Sequence, residues 1–304
     1  MTRAKRPKQI HQMTVAQWEA AFPSEDACDA YLVAHRWPGG VRCPRCGSDK
    51  VYPLQTRKWH WECPDCRKGG AYRFSDIAGT IFENTKVDLR QWFRVIHLML
   101  TSKKGISALQ IHRYMGFGSY RTAWYMCHRV RSALVDPEFR KLMGIVEVDE
   151  TWVGGKDSNR HPDKRSGKRG LGDPRKTPIA GAVSRKGNVV ARVIENVKGS
   201  TLNGFVREAV STKVDLLCSD DYAAYHRLSK EFPLGTVDHS KGQYVVGAVH
   251  TQTIDSFWSL IKRGIMGSYH RISRKYLPLY VAEFEFRYNH RNDPDIFSHA
   301  IAVC

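Results

Sequence analysis

An α/β protein built from more than one structural part is expected from three features of this 304-residue sequence. Helical periodicity with capping residues dominates up to about residue 144. From 145 onward, short β-branched runs alternate with helical patterns. Near the start, four cysteines in two close pairs mark a small module of their own. Hydrophobic residues at 42% and charged residues at 26% exclude wholesale disorder, collagen and coiled coil. At about 150 residues per domain the length allows about two domains, enough chain to bury a full core.

The parts are placed at 1–74, 75–144 and 145–304. In the first, amphipathic helical patterns cover 15–22 and 27–35 and stop at Trp37-Pro38-Gly39-Gly40, where Pro and Gly favour a turn. The cysteine module follows, with two short strands expected in VYPLQTRKWHWE. In the second part, Asp88 is expected to cap LRQWFRVIHLMLTSKK. A break at Gly105, the pattern SALQIHRYM, a turn at Gly116-Phe117-Gly118 and the pattern SYRTAWYMCHRVRSAL follow. In the third, IVEVDET, TPIAGAVSR, NVVARVIENV and VDLLCSDD read as strands, the middle two joined by a hairpin at Lys186-Gly187-Asn188. Helices are expected at TLNGFVREAV, at AAYHRLSKEF and over 251–289, the last interrupted near 264–267.

CPRC, sixteen residues, then CPDC supplies four thiolates in two knuckles (Cys43, Cys46, Cys63, Cys66). Four ligands close a tetrahedral zinc site and leave no open position, so the Zn²⁺ is structural. A redox pair would not need the second knuckle. The other cysteines (Cys28, Cys127, Cys218, Cys304) are scattered and suit reduced thiols, and with no apolar signal segment the expected location is cytoplasmic.

Lys plus Arg number 48 against 30 Asp plus Glu, a formal charge of +18, which favours a polyanionic partner. Each of the three parts carries +6, so the charge is denser in the two short ones. No run approaches the roughly 20 apolar residues of a membrane span, and no amphipathic segment has a dense basic face, so a membrane partner is not expected. Nucleic acid is. Within the ribbon, Arg57 and Lys58 stand among Trp59, His60 and Trp61, a pattern equally suited to phosphate and sugar contact or to a small aromatic core. Residues 106–134 have the outline of a helix-turn-helix. Its second helix would lead into the major groove with Ser119, Tyr120 and Arg121, and with Arg129 and Arg131 farther along. The loop 154–178 is rich in Gly, Lys and Arg. Lys164, Arg165, Lys168 and Arg169 would grip DNA there if it is more than a solvated loop.

Three carboxylates stand out in the last part. Glu147 and Asp149 share one face of a strand by period-two alternation. Asp220 and Asp221 end another strand. Asp255 and Lys262 lie seven residues apart on a helix, about 20° short of two full turns and so on one face. Carboxylate oxygens suit hard ions such as Mg²⁺, and two such ions about 4 Å apart activate a hydroxyl and stabilise a leaving oxygen in phosphoryl displacement. An Asp at a strand end is, taken alone, more often a turn residue.

The motifs GIVEVDETWVGGK, CSDDYAAYHRL and VDHSKGQYVVGAVHTQTIDSFWSLIKRGIMGSYHRISRKYLPLYVAEFEFRYNHR resemble those of bacterial insertion-sequence transposases of the zinc-ribbon DDE kind, the ISXO-like branch. The resemblance runs from Cys43 to Arg291. It implies a ribonuclease-H-like catalytic domain after the ribbon and the helical segment, and metal-dependent cleavage and strand transfer at transposon ends. It assigns Asp149, Asp220 and Asp255 as ligands of catalytic Mg²⁺ or Mn²⁺, and Lys262 as a phosphate contact, with Arg263 beside it on the DNA. At the third acidic position this sequence carries Asp where Glu is usual. Gln252, where similar sequences often have Asn, is expected beside the ligands. His239 and His250 are expected near the third carboxylate, and Trp258 in the core. Partners implied are double-stranded DNA (transposon ends and target) and further copies of the chain when DNA is bound, with nucleoid association following from that. No nucleotide cofactor is expected, because each transfer conserves a phosphodiester and no GxxxxGK[ST] loop is present. The rival reading is a catalytically inactive DNA-binding regulator derived from a transposase, with the Asp at the third position in its favour. A junction resolvase or ribonuclease on the same fold is a third.

Overall fold

The computed structural model describes residues 14–66, 71–136, 139–155, 161–165, 176–238, 241, 245–293 and 295–304. These form two compact units, Met1–Leu134 with His290–Cys304, and Val135–Asn289. Among the described residues no helix is long and apolar enough to cross a membrane.

In the first unit, α1 (Val15–Ala21) starts in a capping box between Thr14 and Gln17, and α2 (Glu25–Arg36) starts at Ser24, whose hydroxyl accepts from the Ala27 amide. The ribbon is a three-stranded antiparallel sheet, β1 (Tyr52–Pro53), β2 (His60–Cys63) and β3 (Tyr72–Ser75), in order β1-β2-β3. The third strand exceeds the two expected. It follows a Gly pair and holds Phe74 against Trp61 inside the ribbon core.

Helices α3 (Leu89–Thr101), α4 (Ala108–Met115) and α5 (Tyr120–Ala133) follow as expected. Asp88 stands at the N-cap of α3 but makes no capping bond through its side chain. Glu25 performs that role instead: its carboxylate accepts from the Leu89 and Arg90 amides. An anion at that position also favours the positive end of the helix dipole.

The last fifteen residues were expected with the third part and lie instead in the first unit. The reason is apolar: the C-terminal helix (Ile296–Ala302) buries Ile296, Phe297, Ala300 and Ile301 on one face, and Phe297 meets Phe22, Tyr31 and Phe93. Nor is residue 74 a division between compact units, since ribbon and helices belong to one.

Two carboxyls, Asp29 and Asp76, face each other in this unit. Burial first, then the charge of Asp76, push Asp29 up to about 7. The folded state therefore holds a proton that the unfolded chain releases near its ordinary value of about 3.9, so this site loses stability as pH rises from about 4 to about 7. Asp29→Asn is expected to flatten that part of the stability profile, read as the melting temperature of mutant and wild type across pH 5–8. Parallel profiles would refute it.

The second unit is a five-stranded sheet: β4 (Ile145–Val153), β5 (Thr177–Ser184), β6 (Val189–Val193), β7 (Leu216–Asp220) and β8 (Leu234–Val237), in order β6-β5-β4-β7-β8. β4, β5 and β6 run antiparallel, and β4, β7 and β8 parallel. The β5–β6 hairpin turns at Lys186, whose φ is +62°.

Val146 and Val148 point to one face, under α6 (Gly199–Ala209) with Leu202 and Val206. Ile179, Val183, Val189 and Ala191 point to the other, under α7 (Gln252–Gly264) and α8 (Leu277–Asn289). Ile254, Phe257, Trp258 and Ile261 recur at i, i+3, i+4 and i+7 of α7 and are all buried. Each contributes about 1.5–3 kcal/mol of apolar burial. A π turn (Ile265–Tyr269) produces the expected interruption. The edge strand β6 is covered by α8: the Asn289 side chain bonds both the amide and the carbonyl of Val189, and Glu285 accepts from the Ala191 amide.

Two expectations change here. AAYHRLSKEF forms only a short 3₁₀ turn (His226–Lys230) rather than a helix, and the unanticipated β8 follows it. Gly235 conceals that strand in the sequence. The fold requires glycine there because a Cβ would lie 2.6 Å from Val249.

Candidate metal centres and active site

The four ribbon thiols converge. Cys43 and Cys66 sulfurs lie 3.7 Å apart and those of Cys46 and Cys63 3.6 Å apart, and all four fall within 4.8 Å of one another. A tetrahedron with Zn–S bonds of about 2.3 Å has edges of about 3.8 Å, so the donor set and its spacing suit zinc. Replacing Cys63, which is fully buried, by Ser is expected to remove one bound zinc per chain and unfold the ribbon, since such sites hold about 10–16 kcal/mol of apparent binding energy. Unchanged zinc content by atomic emission would contradict this.

The ribbon aromatics serve its own packing. Trp61 is buried against Trp37 and Phe74, and the Trp59 indole donates to Asp26 at 2.8 Å. Lys58 is exposed but lies 2.5 Å from Asp26, whereas Arg57 is exposed on the turn.

In the helical pair, Gly116 (φ +65°) ends α4 in the left-handed conformation that glycine tolerates best. Ser119 caps α5, its hydroxyl accepting from the Arg121 amide. Ser119, Tyr120, Arg121 and Tyr125 are exposed. An open cleft of about 610 Å³ beside them is lined by Lys86, Arg121, Tyr125 and Arg129. Arg131 corrects the sequence reading: it is 1% exposed, so it belongs to the interior and presents no charge to DNA.

The acidic site is built on β4 and α7. Period-two alternation sends Glu147 and Asp149 to the face that α7 covers. Glu147 is wholly buried and is occupied by structure. It accepts from the Thr253 amide (2.7 Å), the Ile254 amide (3.0 Å) and the Thr253 hydroxyl (2.8 Å), and pairs with Arg185 at 2.7 Å. It thereby ties the N-terminus of α7, the turn that carries Asp255, to the strand that carries Asp149. His250 Nδ1 lies 3.2 Å from the same carboxylate.

Asp149 Oδ2 accepts from the Trp258 indole at 2.9 Å. Trp258 is therefore core, as expected, with a polar edge aimed at the site. Its ring occupies the space over Gly181, which pairs with Asp149 across β4–β5 and where a Cβ would lie 2.5 Å from the ring. Burial, then neighbouring Glu150, then the charges of Asp220 and Asp255, push Asp149 up to about 8. Burial likewise raises Glu150, against the hydrogen bond that Tyr225 donates to it at 2.7 Å.

Asp220, at the end of β7, accepts from the Tyr222 amide at 3.3 Å, while Asp221 faces His226 at 3.1 Å. Asp255 is exposed and its Oδ2 accepts from the Thr251 hydroxyl at 3.3 Å. Lys262 and Arg263 are exposed farther along α7, Arg263 donating to the Ser259 carbonyl at 3.1 Å. Gln252 is exposed at the first turn.

The three aspartates are thus electrostatic neighbours. Among the described residues they are not one of the groups whose ligand atoms all fall within 4.8 Å of one another. A half-buried carboxyl crowded by other acids is nonetheless the donor chemistry that a hard divalent cation neutralises. Lys168, Arg169 and His239 lie outside the described residues, as does the side chain of Lys164, whose backbone forms the turn Pro162–Lys164. Arg165 is exposed just after that turn.

Sequence reasoning missed the roles of Glu147, Arg185, Tyr225 and Gly181. Only the shared strand face of Glu147 and Asp149 hinted at one of them.

Comparison with known proteins bears on both regions. Residues 141–289 match the ISXO2-like transposase domain, and residues 23–76 match the transposase zinc-ribbon domain of the same IS1595 family. An uncharacterized protein in transposable element ISH50 of Halobacterium salinarum is 29% identical over 282 residues, covering 88% of this chain and 91% of that protein. A simian T-cell lymphotropic virus intasome structure, in complex with the PP2A regulatory subunit B56 gamma, aligns over 59% of this chain and 67% of that chain. At 12% identity and a TM-score of 0.28, no conclusion rests on it. With the zinc ribbon and the DDE domain of one family in their expected order, the chain belongs to the ISXO2-like, zinc-ribbon transposases of insertion sequences.

Proposed function

We propose that this chain is a DNA transposase that binds the ends of its insertion sequence and catalyses metal-dependent strand cleavage and strand transfer. The observation that carries the reading is Asp149: half-buried on the central strand of the DDE domain, held by Trp258, and pushed up to about 8 by desolvation and by Glu150, Asp220 and Asp255. The sheet order, with three antiparallel strands followed by two parallel ones, supports a ribonuclease-H-like fold for residues 145–289.

Asp149, Asp220 and Asp255 are the residues to hold Mg²⁺ or Mn²⁺. Bound there, divalent ions would activate the attacking hydroxyl and stabilise the leaving oxygen of an in-line phosphoryl displacement. The chain's own part is to position. Trp258 fixes the rotamer of Asp149, Glu147 fixes the start of α7, and Lys262 with Arg263 neutralises phosphate on the exposed face of that helix. Cleavage by water breaks one phosphodiester into a 3′ hydroxyl and a 5′ phosphate, and strand transfer by that hydroxyl then breaks one phosphodiester of the target and forms another.

Cys43, Cys46, Cys63 and Cys66 hold structural Zn²⁺. Arg57 and Lys58 of the ribbon, Ser119 and Arg121 of α5, and Lys164, Arg165, Lys168 and Arg169 of the basic loop supply DNA contacts. The exposed N-terminal turn of α5 and the basic cleft beside it support end recognition by the helical segment 75–144. Pairing two ends calls for more than one copy on DNA, and DNA binding brings nucleoid association with it.

The test is to incubate the full chain with labelled duplex carrying its element's two ends and Mg²⁺ or Mn²⁺. Cuts at the element boundary, then joining of the new 3′ ends to target DNA, are expected. Among the described residues Asp149, Asp220 and Asp255 do not form a set whose ligand atoms all lie within 4.8 Å of one another, and this favours one second reading, a regulator descended from a transposase. Binding of ends with no cut under either metal would establish that reading and overturn the first.

A further inference from the structure

We infer that His290, Asp293 and His299 form a second transition-metal site, unrelated to the ribbon cysteines and to the acidic site. One ligand atom from each residue lies within 4.8 Å of the other two. The His299 Nδ1 and Asp293 Oδ2 atoms are 2.5 Å apart, and the His290 and His299 rings stand 5.5 Å apart with their planes inclined by 60°. An ordinary ion pair would use only His299 and Asp293. The third donor, from His290, makes the set a ligand triad.

The carboxylate is also preset. Asp293 Oδ1 accepts from the Asp295 amide at 2.8 Å, which leaves Oδ2 for the histidines. Asp295 in turn caps the C-terminal helix, accepting from the Ser298 amide at 3.1 Å. A ligating carboxylate anchored through its other oxygen is the usual outer support of a metal site.

Two imidazoles and one carboxylate suit zinc or a neighbouring divalent transition metal, with water completing the coordination. Ligand atoms on a zinc tetrahedron with bonds of about 2.05 Å are about 3.4 Å apart, so the His299–Asp293 pair would open from its 2.5 Å contact to admit the ion. The metal's effect would be to clip the C-terminal helix to the turn that precedes it, within the first unit.

The experiment uses the full chain with Asp149→Asn as background, so that zinc held by the acidic site is not counted. Zinc is titrated against a competing chelator, and cobalt is then substituted to read thiolate charge transfer. Two zinc ions per chain are expected in the background protein and one in Asp149→Asn/His299→Ala, with an unchanged thiolate band from the ribbon. His299 is exposed, and the milder His299→Asn gives a second reading should alanine perturb the fold. In addition, zinc at ten times its Kd should slow amide exchange in the C-terminal helix about tenfold, but not in the His299 variants. One zinc in both proteins, or two in both, overturns the site.

Discussion

Asp149→Asn is expected to lower strand cleavage at element ends by at least about a thousandfold, equivalent to about 4 kcal/mol of transition-state stabilisation, while end binding stays within a factor of about two. Asparagine keeps the size of the side chain and an oxygen to accept the Trp258 indole proton, so the core around Gly181 is preserved. What it removes is the carboxylate oxygen that the central strand presents to the acidic site. That oxygen is crowded by Glu150, Asp220 and Asp255, and burial has pushed its group up to about 8. A bound cation favours its ionised form. Gel analysis of cut ends beside a mobility-shift titration separates chemistry from recognition. Cleavage within tenfold of wild type would remove Asp149 from the reaction.

Glu147→Ala is expected to cost about 3–5 kcal/mol of stability, the scale for removing one partner of a buried ion pair. Truncation strands the Arg185 guanidinium, which lies 2.7 Å from the carboxylate, and leaves the Thr253 and Ile254 amides at the start of α7 without their acceptor. Glu147→Gln keeps an acceptor oxygen for the helix amides and loses the charge opposite Arg185, so it should cost less than alanine. Because Asp255 rides on the first turn of α7, the alanine variant should also lose cleavage where its fold persists at low temperature. Denaturant unfolding measures the first effect. A loss below about 1 kcal/mol would mean that the helix is positioned by its apolar face alone.

The two largest expected effects thus fall on neighbouring acids of one strand, with opposite legibility. Asp149 stands out in the sequence because its motif does. Glu147, two residues earlier on the same face, looks there like a second candidate for the same chemistry. Its actual partners, Arg185 and the amides of 253 and 254, are brought to it only by the hairpin register and by the docking of α7. Trp258 shows the same division. Its helical spacing marks it as core, but the bond from its indole to Asp149 depends on Gly181 lying opposite in the next strand. Arg131 looks like a surface cation in the sequence, yet it is interior.

Local patterning was enough for the zinc knuckles, the helix starts at Ser107 and Ser119, the β5–β6 hairpin and the strand face of Asp149. Each rests on bonds or periodicities that close within a few residues. Packing between distant segments was needed for the rest. It placed the C-terminal helix with Phe22 and Phe93 rather than with its sequence neighbours, paired β8 with β7, capped α3 with Glu25, and gathered His290, Asp293 and His299. Those outcomes depend on apolar burial and on buried charges finding partners, and neither is determined until the whole chain has chosen its neighbours.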